Sequence, residues 1–175
     1  MEALKMVLFC MLAAIAYGIV QDQITARICV EYFTIGHDPI FGTSDPTLLA
    51  FGWGMLATWW VGLFLGIPAA FFARIGSKPK LTWHNLCKPI GILMLIVGVS
   101  ALLAGFIGFL LARQGGVWLV GDLAERVPPE KHVVFLTDLW AHNAAYGAGF
   151  ICGVICWGWI WWKRARLVDS QIGRM

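Results

Sequence analysis

Charge is scarce in this chain. Asp, Glu, Lys and Arg supply 13% of its 175 residues and apolar side chains 59%, about half the charged share of an ordinary soluble domain. Water alone is therefore excluded as its solvent. The apolar runs contain no interior lysine, so no Schiff base to retinal can form there. Absent too are a phosphate-cradling glycine motif, a Ser-His-Asp elbow and a basic-aromatic surface for nucleic acid. No linker, repeat or low-complexity stretch marks a second domain. The five cysteines are odd in number and spread over different depths, which argues against a disulfide framework.

Apolar sequence is plentiful instead. Four segments are long enough to cross a hydrocarbon core, which takes roughly 20 helical residues. They predict an all-α, integral membrane four-helix bundle in one domain, with spans at residues 4–35, 47–74, 88–113 and 129–163. In the first span the apolar part ends near Val20. Lys5, the apolar run and Ala14-Ile15-Ala16 also resemble a signal peptide, but the segment is read as a retained helix. Pro68 is expected to break the second span. Gly91, Gly98 and Gly105 in the third, with Ala101 and Gly108, are expected to pack helix on helix. Ala141, Ala145, Ala148, Gly149, Gly153 and Cys156 are expected to do the same in the fourth. The same glycine-rich helices could seat a homo- or hetero-oligomer.

The few charges are sorted by side. Lys5, Arg74, Lys78, Lys80, Lys88, Lys163, Arg164, Arg166 and Arg174 fall at one end, and Asp22, Glu31, Asp38, Asp45, Asp122, Glu125, Glu130 and Asp138 at the other. Basic loops stay cytoplasmic, so both termini are predicted on the cytoplasmic side of an inner membrane. The net charge of +3 thus serves topology rather than nucleic-acid binding. Trp157, Trp159, Trp161 and Trp162 before Lys163 fit an interfacial belt. Helices one and four overshoot the outer boundary, the first stopping at Gly36 and the fourth starting at Pro128-Pro129. The connection "VWLVGDLAERVPPEKH" reads as an amphipathic segment on the membrane surface.

Both overshoots carry the chain's unusual polar residues. Asp138 and His142 are four apart and share a helix face, at about the depth of Asp22. Polar groups at that depth usually face a bundle interior or a wet cavity. His37, Asp138, His142 and Glu31 are therefore candidate metal ligands, two imidazoles and two carboxylates that suit zinc, iron, manganese or copper. Glu31 would also act as general base, with Arg27 orienting it. Asp22 and Asn143 would hold the ligands from behind, Asp22 by accepting an imidazole N–H. Such a site would support a metal-dependent hydrolase or oxidoreductase acting on a small or lipid-soluble substrate. The plainer alternative is an Arg27–Glu31 pair on an exposed helix end, with Asp138 and His142 bonded to Asn143, Tyr17 or backbone. Haem between His142 and His37 or His132 lacks paired histidines at matched depth. Cys10, Cys152 and Cys156, with Met6 and Met11, could hold copper(I) but equally fit as small packing residues. The non-catalytic alternative is a transporter, channel or accessory subunit.

The segment "DQITARICVEYFTIGHDP" resembles uncharacterised bacterial four-span integral membrane proteins with the pattern D-Q-I/V-T-x-R, then E-Y-F-T and a histidine. The match covers about a tenth of the chain as a motif. The resemblance implies a bacterial origin and attaches no reaction. It singles out Asp22, Gln23, Thr25, Arg27, Glu31, Tyr32 and His37.

Overall fold

The helices are interrupted at Cys29 and at Ala57–Thr58, and not at the prolines inside them. The computed structural model describes residues 1–172; Arg174, placed with the basic side above, lies outside the described residues. The elements are α1 (Glu2–Ile28), α2 (Val30–Thr34), α3 (Pro46–Leu56), α4 (Trp59–Arg74), α5 (His84–Arg113), α6 (Asp122–Arg126) and α7 (His132–Ile172), with a 3-10 turn at Pro129–Lys131. Among the described residues the fold is all-helical, with four helical stretches long and apolar enough to cross a membrane. Large exposed side chains such as Leu95, Leu102, Leu103 and Phe106 on α5 are consistent with a multi-pass membrane protein, because lipid does not penalise them.

The first span is not one helix to residue 35. Cys29 is extended (φ −147°, ψ 95°), and α2 starts again one residue later. The kink folds α2 across the mouth of the bundle, where Tyr32 and Phe33 become 8% and 2% exposed. A straight continuation would have left both aromatic rings beyond the bundle, so their burial favours the kink.

The second span bends as well, but not at Pro68. Helix α4 runs through Pro68 without interruption. Trp157 Nε1 donates to the Leu65 carbonyl at 3.0 Å, in the turn that the missing proline N–H loosens. The break lies instead at Ala57–Thr58. Here the Thr58 hydroxyl donates back to the Gly54 carbonyl at 2.5 Å, a contact that bends helices. Tyr146 of α7 donates to the freed Ala57 carbonyl at 3.4 Å.

Packing makes two tight pairs. Helix α1 lies along α3 and α4, and α5 lies along α7. Between the pairs, α1 meets α5 and α7 only sparsely, and α4 touches α7. The closest approaches are glycine to backbone. A Cβ on Gly62 would sit 2.5 Å from Met11 Cα, and one on Gly54 would sit 2.6 Å from Ile19 Cα. On α5, Gly105 and Gly108 take Ala141 and Trp140 of α7. Gly91 faces open space, and Gly98 meets only Tyr17 at 3.8 Å. The regular seven-residue glycine spacing on α5 is therefore not a packing seam within this chain.

The two ends of the bundle differ. At the acidic end, Phe33, Leu49, Leu119, Val127 and Phe135 form a small core, closed over by α6. Arg126 ties α6 down, bonding Asp122 Oδ2 and the Ile35 carbonyl, both at 3.0 Å. At the basic end Arg164, read above as a topology charge, is 0% exposed. Its guanidinium donates to four carbonyls: Phe72 (2.6 Å), Ile75 (2.7 Å), Lys78 (2.8 Å) and Pro79 (2.8 Å). It caps the C-terminus of α4 and clamps the following loop to α7.

Two stability predictions follow from these contacts. Arg164→Ala strands four acceptors and is expected to cost about 3 kcal/mol, read as a lowered unfolding midpoint in detergent. Gly62→Ala is expected to cost ~1–3 kcal/mol by overpacking, whereas Gly91→Ala should stabilise by up to ~1 kcal/mol through helix propensity.

Candidate functional site

Two helix faces and one folded-over turn build the polar cluster at the acidic end. Along α1, Tyr17, Gln21 and Thr25 recur every four residues, with Gly18 and Asp22 beside them. Along α7, Asp138, His142 and Tyr146 do the same, so each set forms one stripe. The two stripes meet at His142. Its Nε2 lies 3.1 Å from Thr25 Oγ1 and 3.8 Å from Asp22 Oδ1. Thr25 in turn donates to the Gln21 carbonyl at 3.2 Å. That leaves its oxygen to accept, which assigns the imidazole proton to Nε2.

Aromatic rings enclose the imidazole. Tyr32 stacks on His142 at 4.6 Å between centroids, and Phe33 meets it edge-on at 5.9 Å. His37 packs against Trp53 at 4.5 Å and Tyr32 at 5.1 Å.

The candidate ligands are placed as follows. Glu31 pairs with Lys131 Nζ at 2.9 Å and accepts from Cys29 Sγ at 3.4 Å. Arg27 bonds the carbonyl and Oε1 of Gln23, both at 2.6 Å, and Thr47 Oγ1 at 2.9 Å; it does not orient Glu31. His37 Nδ1 is 2.8 Å from the Tyr32 carbonyl, and His132 Nε2 is 2.9 Å from the Val127 carbonyl. Asn143 is exposed and among the described residues forms no hydrogen bond with the imidazole. Asp138 is fully buried, and neither carboxyl oxygen has a hydrogen-bond partner among the described residues. The structure thus joins Asp22 to His142 and draws Glu31 and Arg27 to other partners. Among the described residues no three His, Cys, Asp or Glu side chains are arranged to hold a metal ion.

Electrostatics beyond the helical spans follow burial and pairing. Burial acts to raise the Glu31 carboxyl, but the Lys131 ammonium and nearby hydrogen bonds outweigh it and hold the group below its usual 4.5. Burial pushes the Cys29 thiol up to about 12, so it stays protonated and inert. Burial also raises the Tyr32 phenol.

Beneath the cluster lies a cavity of about 190 Å³ between the two helix pairs. It descends along α7 from His142 to Trp157, about 22 Å of helix. Its upper end holds Asp22, Gln21, Tyr17, His37 and Tyr146; its walls are small or apolar, such as Ala14, Gly62, Val97, Ala145 and Gly149. Cys10, Cys152 and Cys156 lie at its lower end as free thiols. The bend at Ala57–Thr58 opens onto it. Two polar atoms of α1, Tyr17 Oη and Gln21 Oε1, are buried without a hydrogen-bond partner among the described residues. Composition could not have located this space. The four-residue spacing of Tyr17 and Gln21 on α1, with Asp22 beside them, was the available signal for its polar wall.

Comparison with family models, curated proteins and solved structures finds no match for the chain.

The ion pair of Glu31 sets a pH response. A carboxyl held below its unfolded value stabilises the fold above about pH 4.5, and that contribution disappears as the pH falls through the lowered value. The unfolding midpoint should therefore drop on acidification below that point. Glu31→Gln should lower the midpoint at neutral pH and flatten this part of the acid slope.

Proposed function

We propose that the chain is a non-catalytic carrier of the bacterial inner membrane, both termini cytoplasmic, that takes up a lipid-soluble small molecule between its helix pairs. One observation carries this reading: an apolar cavity lined by all four long helical stretches, with its polar groups gathered at one end. Binding sites are typically apolar pockets with a few convergent polar groups. The bend in the second span supports the reading, because interrupted helices in membranes border cavities and line transported substrates. The sparse contact between pairs gives a route for lateral entry from lipid. A catalytic metal centre is less well supported, since Glu31 is engaged by Lys131 and His37 by the Tyr32 carbonyl.

The test uses the full-length chain in lipid nanodiscs and three matched lipophiles: phenylbutylammonium, phenylbutanol and phenylbutyrate. At least one should bind saturably at one site per chain. Gly149→Leu, which fills the cavity where a Cβ meets nothing within 4 Å, should weaken that binding about tenfold or more by steric exclusion, with the unfolding midpoint kept. Saturable binding of none of the three, or binding indifferent to Gly149→Leu, would overturn the carrier reading.

A further inference from the structure

Charge in the acidic half does not balance inside the bundle. Asp22 is 4% exposed and Asp138 0% exposed, and among the described residues the ion-pair partner of Asp22 is the His142 imidazole, 3.8 Å away. Four cationic side chains belong to this half, and all are engaged elsewhere. Arg27 holds Gln23 and Thr47, Arg126 holds Asp122 and Ile35, Lys131 holds Glu31, and the exposed Arg113 lies over Phe109. Among the described residues the cavity is lined by no Lys or Arg at all. A buried carboxylate without a counter-charge is costly to ionise, so it keeps a proton unless a cation arrives to pair with the anion.

We propose that the cavity selects a lipophilic organic cation, a protonated amine, whose ammonium sits against Asp22 while its apolar body fills the slot below. This deepens the carrier reading and rests on it. Three features favour an amine over an anion, a neutral lipophile or a metal ion. Asp22 lines the cavity and accepts no hydrogen bond among the described residues, so its oxygens are free for N–H donors. Gln21 Oε1 and Tyr17 Oη, on the same face of α1, are further acceptors without a donor. The rings of Tyr17, Tyr32, Trp53 and Tyr146 line the same end, and aromatic faces attract a desolvated ammonium. A small metal ion would need three or more convergent ligands, which the described residues do not provide. A carboxylate or phosphate head would meet Asp22 as a like charge.

The same three lipophiles test this, since they differ only in the head group. Wild type should bind phenylbutylammonium about tenfold or more tighter than phenylbutanol, and phenylbutyrate weakest of all, as expected for a desolvated charge pair. Asp22→Asn keeps the shape and should abolish the ammonium preference while phenylbutanol binding persists, which also reports an intact cavity. Asp22→Glu should retain the preference in part. Equal binding of ammonium and alcohol by wild type would overturn the proposal, as would a preference that survives Asp22→Asn. Those results leave the carrier reading standing, because that reading fails only if no lipophile binds or if Gly149→Leu has no effect.

Discussion

Gly54 and Gly62 let α3 and α4 approach α1 until backbones touch, and the remaining architecture follows from that contact. In a bilayer, which the four apolar stretches are long enough to cross, helices would gain nothing hydrophobic by pressing together, and close van der Waals packing at small residues would hold them instead. A helix drawn this tightly to one neighbour is held away from the others. The α5–α7 pair is built the same way around Gly105 and Gly108. Two tight pairs facing each other leave a gap, lined by the seam glycines Gly18 and Gly62 on one side and by small residues outside the seams on the other. Ala145 and Gly149 are exposed to the cavity for this reason.

The bend at Ala57–Thr58 reconciles this tight contact with the cavity. Helices α3 and α4, on either side of it, both pack along α1, and it places loosened backbone where Tyr146 can reach the Ala57 carbonyl. Irregular backbone in an apolar medium survives only where something satisfies it. The Thr58 hydroxyl and Tyr146 do so here. Pro68 needs less, because the Trp157 indole supplies a donor to the same turn. The residue that looks most disruptive in sequence is thereby accommodated, and the bend moves to a threonine.

Much of the fold was legible in the sequence because span length and apolar content are one-dimensional properties. The level of Asp22 with Asp138 and His142 was legible too, since 1.5 Å per residue converts position into depth. Partner choice was not. Glu31 lies four residues beyond Arg27, and that spacing suggested a pair; but the kink at Cys29 rotates α2, and Glu31 meets Lys131 instead. Gly91, Gly98 and Gly105 share a period, yet only Gly105 meets a neighbouring backbone. Periodicity identifies a face, while the helix that occupies it is a property of the whole bundle. His37 and His132 show the same limit. Both looked free for a ligand, and both turn back to a carbonyl five residues earlier in their own chain.

The two buried charges at opposite ends make the functional argument sharper. Arg164 and Asp22 are almost equally withdrawn from solvent, at 0% and 4% exposure. Arg164 commits four of its five N–H donors to carbonyls: four bonds between 2.6 and 2.8 Å lock a loop in place, and the group is fully buried by that loop. Asp22 faces a cavity, with an imidazole 3.8 Å away and unpaired acceptors beside it. Burial alone therefore does not distinguish a structural charge from a functional one; the state of its hydrogen-bonding capacity does. A charge whose partners all belong to the chain completes the fold, whereas one that lacks them and lines a cavity can take them from outside; Asp138, also unpartnered, does not line the cavity. By that criterion the acidic end, and Asp22 within it, is where a ligand belongs.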